Sequence, residues 1–203
     1  YATQTLDLVA GGDHGARALL ADADRRLIEL QAGHIDGQLR SLKDTAPALM
    51  ENLEWRHAHR GEVTGVTTGF ASIDEITMGW QPGDLVIIAA RPSIGKTSLA
   101  LNCAVAAAKA GKRVAFFSLE MRRQQLEYRI LSGLSDIPLT RILGGHFIEP
   151  DWGKLTAAWS GMRDMAIEID DRSGQTAWEI RSACRRIKAE RGLDLVVVDY
   201  VQL

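Results

Sequence analysis

The pattern of hydrophobic and polar positions changes near Gly61. Before it, Ala16, Leu19, Leu20, Ala23, Leu27 and Leu30 recur at helical spacing, with Arg17, Asp22, Asp24, Arg25, Arg26 and Glu29 on the other faces. This predicts an amphipathic helix from Gly15 to Leu30 with one apolar stripe. Gly33, Asp36 and Gly37 end it. A second helix is predicted from about Ser41 to His59, with Leu42, Leu49, Met50 and Leu53 as its apolar positions. Ser41 with Asp44 reads as a capping box, and Pro47 limits the regularity of the first turn. Two helices flanked by glycines cannot bury their stripes in isolation. The first stripe packs either on the chain's own domain or as an arm on a neighbouring subunit.

After Gly61 strands alternate with helices. Leu85–Ala90 is a continuous apolar run, as expected of a parallel strand covered on both faces, and Val114–Ser118 and Leu195–Asp199 repeat the pattern. A shorter strand is predicted from Ala166 to Ile169. Helices are predicted from Thr97 to Ala110, closed by Gly111, and from Thr176 to Arg191, where Thr176 and Glu179 form a capping box and Ile180, Ala183, Cys184 and Ile187 repeat at i, i+3, i+4, i+7. The alternation implies a parallel, doubly wound α/β sheet with Cys103 and Cys184 on helices facing it. No internal repeat or low-complexity segment interrupts the chain.

Composition narrows the class without changing this picture. The 203 residues are 46% hydrophobic and 25% charged with a formal net charge of −2, values that exclude disorder, collagen-like repetition and a disulfide scaffold. Leu85–Ala90 is the longest purely apolar run, far short of the ~18 residues that span a bilayer. The start Tyr1-Ala2-Thr3-Gln4 lacks an initiator Met and the features of a signal peptide, so it is expected to lie in mid-protein. The 2 cysteines lie far apart with no partner at metal-ligand spacing, which points to reduced, buried thiols and a cytoplasmic protein. His57 and His59 match no helical metal spacing. Charge does not announce nucleic acid: residues 1–62 are slightly acidic and the remainder nearly balanced, whereas a nonspecific duplex binder usually carries a basic excess. Any basic surface is local.

Ala90-Arg91-Pro92-Ser93-Ile94-Gly95-Lys96-Thr97-Ser98 sits between an apolar run and an Ala-rich helix and matches GxxxxGK[ST] except at Ala90. A tight loop there aims backbone N–H groups at phosphate oxygens, and the helix N-terminus adds its positive dipole end. Gly95 allows close approach, Lys96 is placed between the β- and γ-phosphates, and the Thr97 hydroxyl ligates Mg²⁺. Asp199 closes an apolar strand, where a carboxylate holds Mg²⁺ through its water shell. Glu120 follows Ser118 at the same sheet edge, where it can deprotonate an attacking water.

These runs, together with Thr68-Gly69-Phe70-Ala71-Ser72-Ile73-Asp74, Gln81-Pro82-Gly83-Asp84-Leu85, Phe117-Ser118-Leu119-Glu120-Met121 and Val198-Asp199-Tyr200-Val201-Gln202-Leu203, resemble the DnaB-type replicative DNA helicases. The resemblance covers about residues 61–203, and the loop beginning with Ala90 is this group's own form. It implies a RecA-like P-loop core with a parallel sheet flanked by helices over 61–203, preceded by an α-helical linker over 13–60 and the tail of an N-terminal helical domain over 1–12. It further implies a homo-hexameric ring that hydrolyses ATP with Mg²⁺ between subunits, moves along single-stranded DNA in the 5′-3′ sense and meets a primase and a helicase loader. Under it, Glu120 is the catalytic base and Lys96 a catalytic phosphate contact. Arg91 to Ser98 bind nucleotide, Thr97 and Asp199 serve the metal, and Gln202 either senses nucleotide state or is a solvated strand-end residue. The family's later strands, DNA-facing loops and arginine finger are expected beyond Leu203. Two rivals share these motifs: a RecA- or KaiC-like ATPase, and a nucleotide-binding interaction module.

Overall fold

The computed structural model describes residues 24–25, 41–91 and 93–200, and the chain divides into residues 1–60 and 61–203. In the first unit Asp24 and Arg25 are helical; the rest of the predicted helix from Gly15 to Leu30 lies outside the described residues, as does the segment 1–12. Helix α1 runs Leu42–Ala58. The Ser41 hydroxyl accepts from the Lys43 N–H at 3.3 Å, but Asp44 makes no return bond to the cap, so the predicted box is only half formed. Pro47 is carried inside the helix, and Trp55 stacks on His59 at its end with ring centroids 4.4 Å apart. None of its residues is buried; Leu42, Leu49, Met50 and Leu53 are all exposed.

The second unit opens with a knot of polar groups around helix α2, Ala71–Thr77. Asp74 is buried, and its Oδ1 accepts the Thr68 backbone N–H at 2.9 Å and the Thr68 hydroxyl at 2.8 Å, while its Oδ2 accepts the Thr67 hydroxyl at 2.5 Å. Burial alone pushes this carboxyl up; the bonds from Thr67, Thr68 and the Gly69 backbone outweigh it and hold the pKa below the ordinary value. Gly69 has φ +78°, and a Cβ there would collide with Ala106 of helix α3, Lys96–Lys109. Glycine is therefore required both by the backbone and by the packing.

Strand β1, Val114–Ser118, is buried throughout. Helices α4 (Arg123–Ser135), α5 (Leu139–Gly144) and α6 (Glu149–Arg163) follow, then β2 (Ile167–Asp170), α7 (Ala177–Arg191) and β3 (Leu195–Asp199). The sheet order is β2-β1-β3, all parallel, with Phe116 opposite Ile169 and Val197. Phe116 packs with Leu101, Ala104, Leu126 and Ile130 of α3 and α4 on one face, while Phe117 packs with Ala183, Ile180 and Cys184 of α7 on the other. Helices on both faces make the sheet doubly wound, as predicted. The Thr176–Glu179 box forms, with the Thr176 N–H donating to the Glu179 carboxylate at 2.8 Å and the Glu179 N–H to the Thr176 hydroxyl at 3.3 Å. Both cysteines are free, and burial pushes the Cys103 thiol up to about 11, with the Asp74 charge adding to it.

One predicted strand is absent. Leu85–Ala90 joins no sheet, and Leu85 is 87% and Ile87 79% exposed. A wholly apolar strand gains stability only when both edges are paired and both faces covered. Among the described residues the outer edge of β3 is unpaired, and no further strand lies beyond it to enclose a second neighbour.

The Asp74 knot yields a stability test. Thr68→Val removes a hydroxyl bond to a buried carboxylate while keeping the shape, and is expected to cost about 1.5–3 kcal/mol in denaturant melts. A carboxyl with a lowered folded pKa stabilises above its unfolded pKa and loses that contribution as pH falls through the folded value. Asp74→Asn should therefore destabilise at pH 7 and flatten the acid limb of the stability curve below about pH 4.

Candidate functional site

The C-terminal ends of β1 and β3 lie side by side because Ser118 pairs with Asp199. The pairing extends one residue further, the Leu119 N–H donating to the Asp199 carbonyl at 2.7 Å. Ser118 then turns the chain: its hydroxyl donates to the Met121 carbonyl at 2.7 Å and accepts the Met121 N–H at 3.1 Å. Glu120 sits within this turn, exposed, two positions past the register partner of Asp199. Asp199 itself is only 6% exposed, and its Oδ2 is buried with no hydrogen-bond partner. An unsatisfied buried acceptor is costly, and in native proteins such groups are few.

The predicted phosphate loop leads into α3. The Ile94 N–H donates to the Arg91 carbonyl at 3.4 Å, Ser93 takes φ +64°, and Gly95 caps the helix at φ +110° with open space where a Cβ would stand. The left-handed turn at Gly95 exposes the first backbone N–H groups of α3, whose first turn carries no acidic residue. Lys96 and Thr97 begin the helix, half-buried, and the Lys96 Nζ lies 5.3 Å from the centroid of the Tyr200 ring. Pro92 and Gln202 lie outside the described residues.

Two participants are not among the predicted site residues. Arg129 of α4 donates from Nη1 to the Ser98 hydroxyl at 3.2 Å, tying the loop-helix start to the helix that follows Glu120. It does leave a signal in the chain: Leu126, Arg129 and Ile130 fall at i, i+3, i+4, an arginine on an inward-facing stripe. The other is Tyr200, whose ring beside Lys96 depends on the approach of β3 to α3. Among the described residues no three His, Cys, Asp or Glu side chains cluster as a metal site, and no helix is long and apolar enough to cross a membrane.

A doubly wound parallel sheet with a GKT loop opening a helix at its edge defines the RecA-like P-loop class. Known proteins agree with this class. The model of the DnaB-like helicase C-terminal domain matches residues 65–203. The replicative DNA helicase DnaB of Geobacillus stearothermophilus is 42% identical over 186 residues, and the replicative DNA helicase DnaC of Bacillus subtilis (strain 168) 41%; each alignment covers 91% of this chain and 41% of the relative. Among solved structures, one described as an ATPase domain matches with TM-score 0.75 at 32% identity over 81% of this chain and 58% of that one. A structure described as a DnaB-like replicative helicase and its interactions with primase matches with TM-score 0.71 at 30% identity, covering 98% of this chain and 46% of that one. The chain belongs to the DnaB-like helicase C-terminal domain family, and it spans about two-fifths of the length of these curated relatives, 41%.

The orphaned Asp199 oxygen gives a direct test of its role. A buried carboxylate without a partner burdens the fold, so Asp199→Asn is expected to leave the thermal midpoint of the protein, without nucleotide or metal, unchanged or higher. A fall of several degrees would show that Asp199 holds the structure together.

Proposed function

We propose that this chain forms part of the motor of a replicative DNA helicase, a homo-hexameric ring that hydrolyses ATP to travel along single-stranded DNA and part the duplex. The observation that carries this reading is the meeting of the buried Asp199 carboxylate, whose Oδ2 has no partner among the described residues, with the strand that delivers Glu120, beside a Tyr200 ring that Lys96 approaches from the start of α3. ATP with Mg²⁺ supplies the anhydride bond whose cleavage drives the motor. The donor set fits a hard cation held largely by water and phosphate: one carboxylate, Asp199, and one hydroxyl, Thr97, without a multi-carboxylate cage among the described residues.

In this reading Arg91, Pro92, Ser93, Ile94, Gly95 and Ser98 shape the loop, and the backbone N–H groups opening α3 receive the phosphates. Lys96 sets a positive charge against the β- and γ-phosphates. Glu120, exposed in its turn, accepts the proton of the attacking water. Arg129 keeps Ser98 and the start of α3 in register with the turn that carries Glu120, and Gln202 reports the nucleotide state. The exposed apolar positions of α1 support a contact with a neighbouring copy, the role expected of the segment 13–60. The solved relative described with primase supports a primase as a partner, and a loader follows from the same assignment. Two free, shielded thiols suit the cytoplasm.

On the intact protein, Lys96→Ala is expected to abolish ATP turnover and strand displacement without lowering the thermal midpoint. Glu120→Gln should lower turnover by about 10²–10⁴ while nucleotide affinity survives. Near-normal hydrolysis by Lys96→Ala would remove the assignment. Turnover that ignores single-stranded DNA, with no strand displacement, would favour a recombinase-like or signalling ATPase.

A further inference from the structure

We propose that Tyr200 is a positioning residue that holds the Lys96 ammonium in place for phosphate. The inference rests on the phosphate-loop reading of Lys96 and adds a part that reading does not contain. A lysine at the first position of a helix, on a flexible stem, loses rotamer freedom when fixed. Something must supply that restraint before the ligand arrives, or the ligand's own affinity is spent on it. Carboxylates do not supply it here: Lys96 lies within ion-pair distance of no carboxylate among the described residues. What stands beside it is an aromatic face, with Nζ 5.3 Å from the Tyr200 centroid, inside the ~6 Å range of a cation–π contact.

The placement suits the task. Tyr200 is next in sequence to Asp199, so the strand whose pairing with β1 fixes the proposed metal carboxylate leads directly into the ring. A ring uses one side of an ammonium and forms no directional bond with its protons, leaving the N–H donors on the other side for phosphate oxygens. A carboxylate in the same place would consume those donors and neutralise the charge. The ring restrains Lys96 without disarming it.

The contact depends on the electrons of the ring rather than on the hydroxyl, and this sets the test. On the intact protein, the affinity for a fluorescent adenine nucleotide is measured by titration alongside KM, kcat and the thermal midpoint. Tyr200→Leu is expected to weaken nucleotide binding and raise KM about two- to five-fold with kcat little changed. Tyr200→Phe is expected to restore the wild-type affinity, and a series of ring-fluorinated phenylalanines at the same position should weaken it stepwise as fluorine withdraws electron density from the face. In a Lys96→Ala background these differences should vanish. Equal loss for Tyr200→Phe and Tyr200→Leu would show that the hydroxyl matters instead and overturn the proposal. So would no fluorine dependence, or tighter binding by Tyr200→Leu, which would mean that the ring competes with phosphate. Retention of nucleotide affinity and turnover by Lys96→Ala would be a separate result, removing the phosphate-loop reading itself.

Discussion

The candidate site depends on the parallel pairing of β1 with β3. Every residue of β1 is buried, and its side chains alternate between two covered faces, Phe116 toward α3 and α4 and Phe117 toward α7. A slip of one residue would exchange those faces and drive each phenylalanine into a space shaped for the other. Truncating such a side chain costs about 3–5 kcal/mol, so the register is held far more firmly than any surface contact could hold it. Because the register is fixed, Ser118 must meet Asp199, and the turn carrying Glu120 must open beside the end of β3. Packing in the middle of the sheet thereby decides the chemistry at its edge.

Two buried carboxylates in the same unit show the difference between a group that builds the fold and one left open. Asp74 receives hydrogen bonds from Thr67 and Thr68 on both oxygens, and its pKa is drawn down in spite of burial. It locks the turn that brings Gly69 against Ala106 of α3. Asp199 is equally hidden but keeps one oxygen without a partner. Ser135 Oγ, Gln175 Oε1 and Trp178 Nε1 are also buried without a partner, but Asp199 is the one carboxylate among them, and an open buried carboxylate is expected where a site must receive a cation.

Much of this is legible in the residues. A continuous apolar run announces β1, which is buried on both faces and has no polar side to show, and the same signal marks β3 although its Val196 is exposed; the Thr176–Glu179 box announces the start of α7 because its two bonds are local. The loop and the carboxylates proposed for metal and base are marked by their order along the chain. The failures have a common cause. Leu85–Ala90 carries the same apolar signal as β1, but it joins no sheet although the outer edge of β3 is unpaired among the described residues; whether a run pairs is decided by other segments as well as by its own pattern. Arg129 and Tyr200 take their places through contacts with Ser98 and Lys96, about thirty and a hundred residues away in sequence, and no local period records such meetings. Asp44 sits at the box position without closing the box, and the helices α4 to α6, with their own small core of Ile137, Ile142 and Leu155, announce themselves by no motif.

On the proposed reading three separated segments, the loop before α3, the turn after β1 and the end of β3, converge on one nucleotide. Hydrogen–deuterium exchange of the intact protein, with and without ADP and Mg²⁺, tests this most directly, since it reads all three segments in one experiment without any substitution. The account predicts that the amides of residues 93–98, 119–121 and 199–200 gain protection together, and that omitting Mg²⁺ weakens the effect chiefly at 199–200. Protection confined to the loop, or arising elsewhere in the chain, would contradict it.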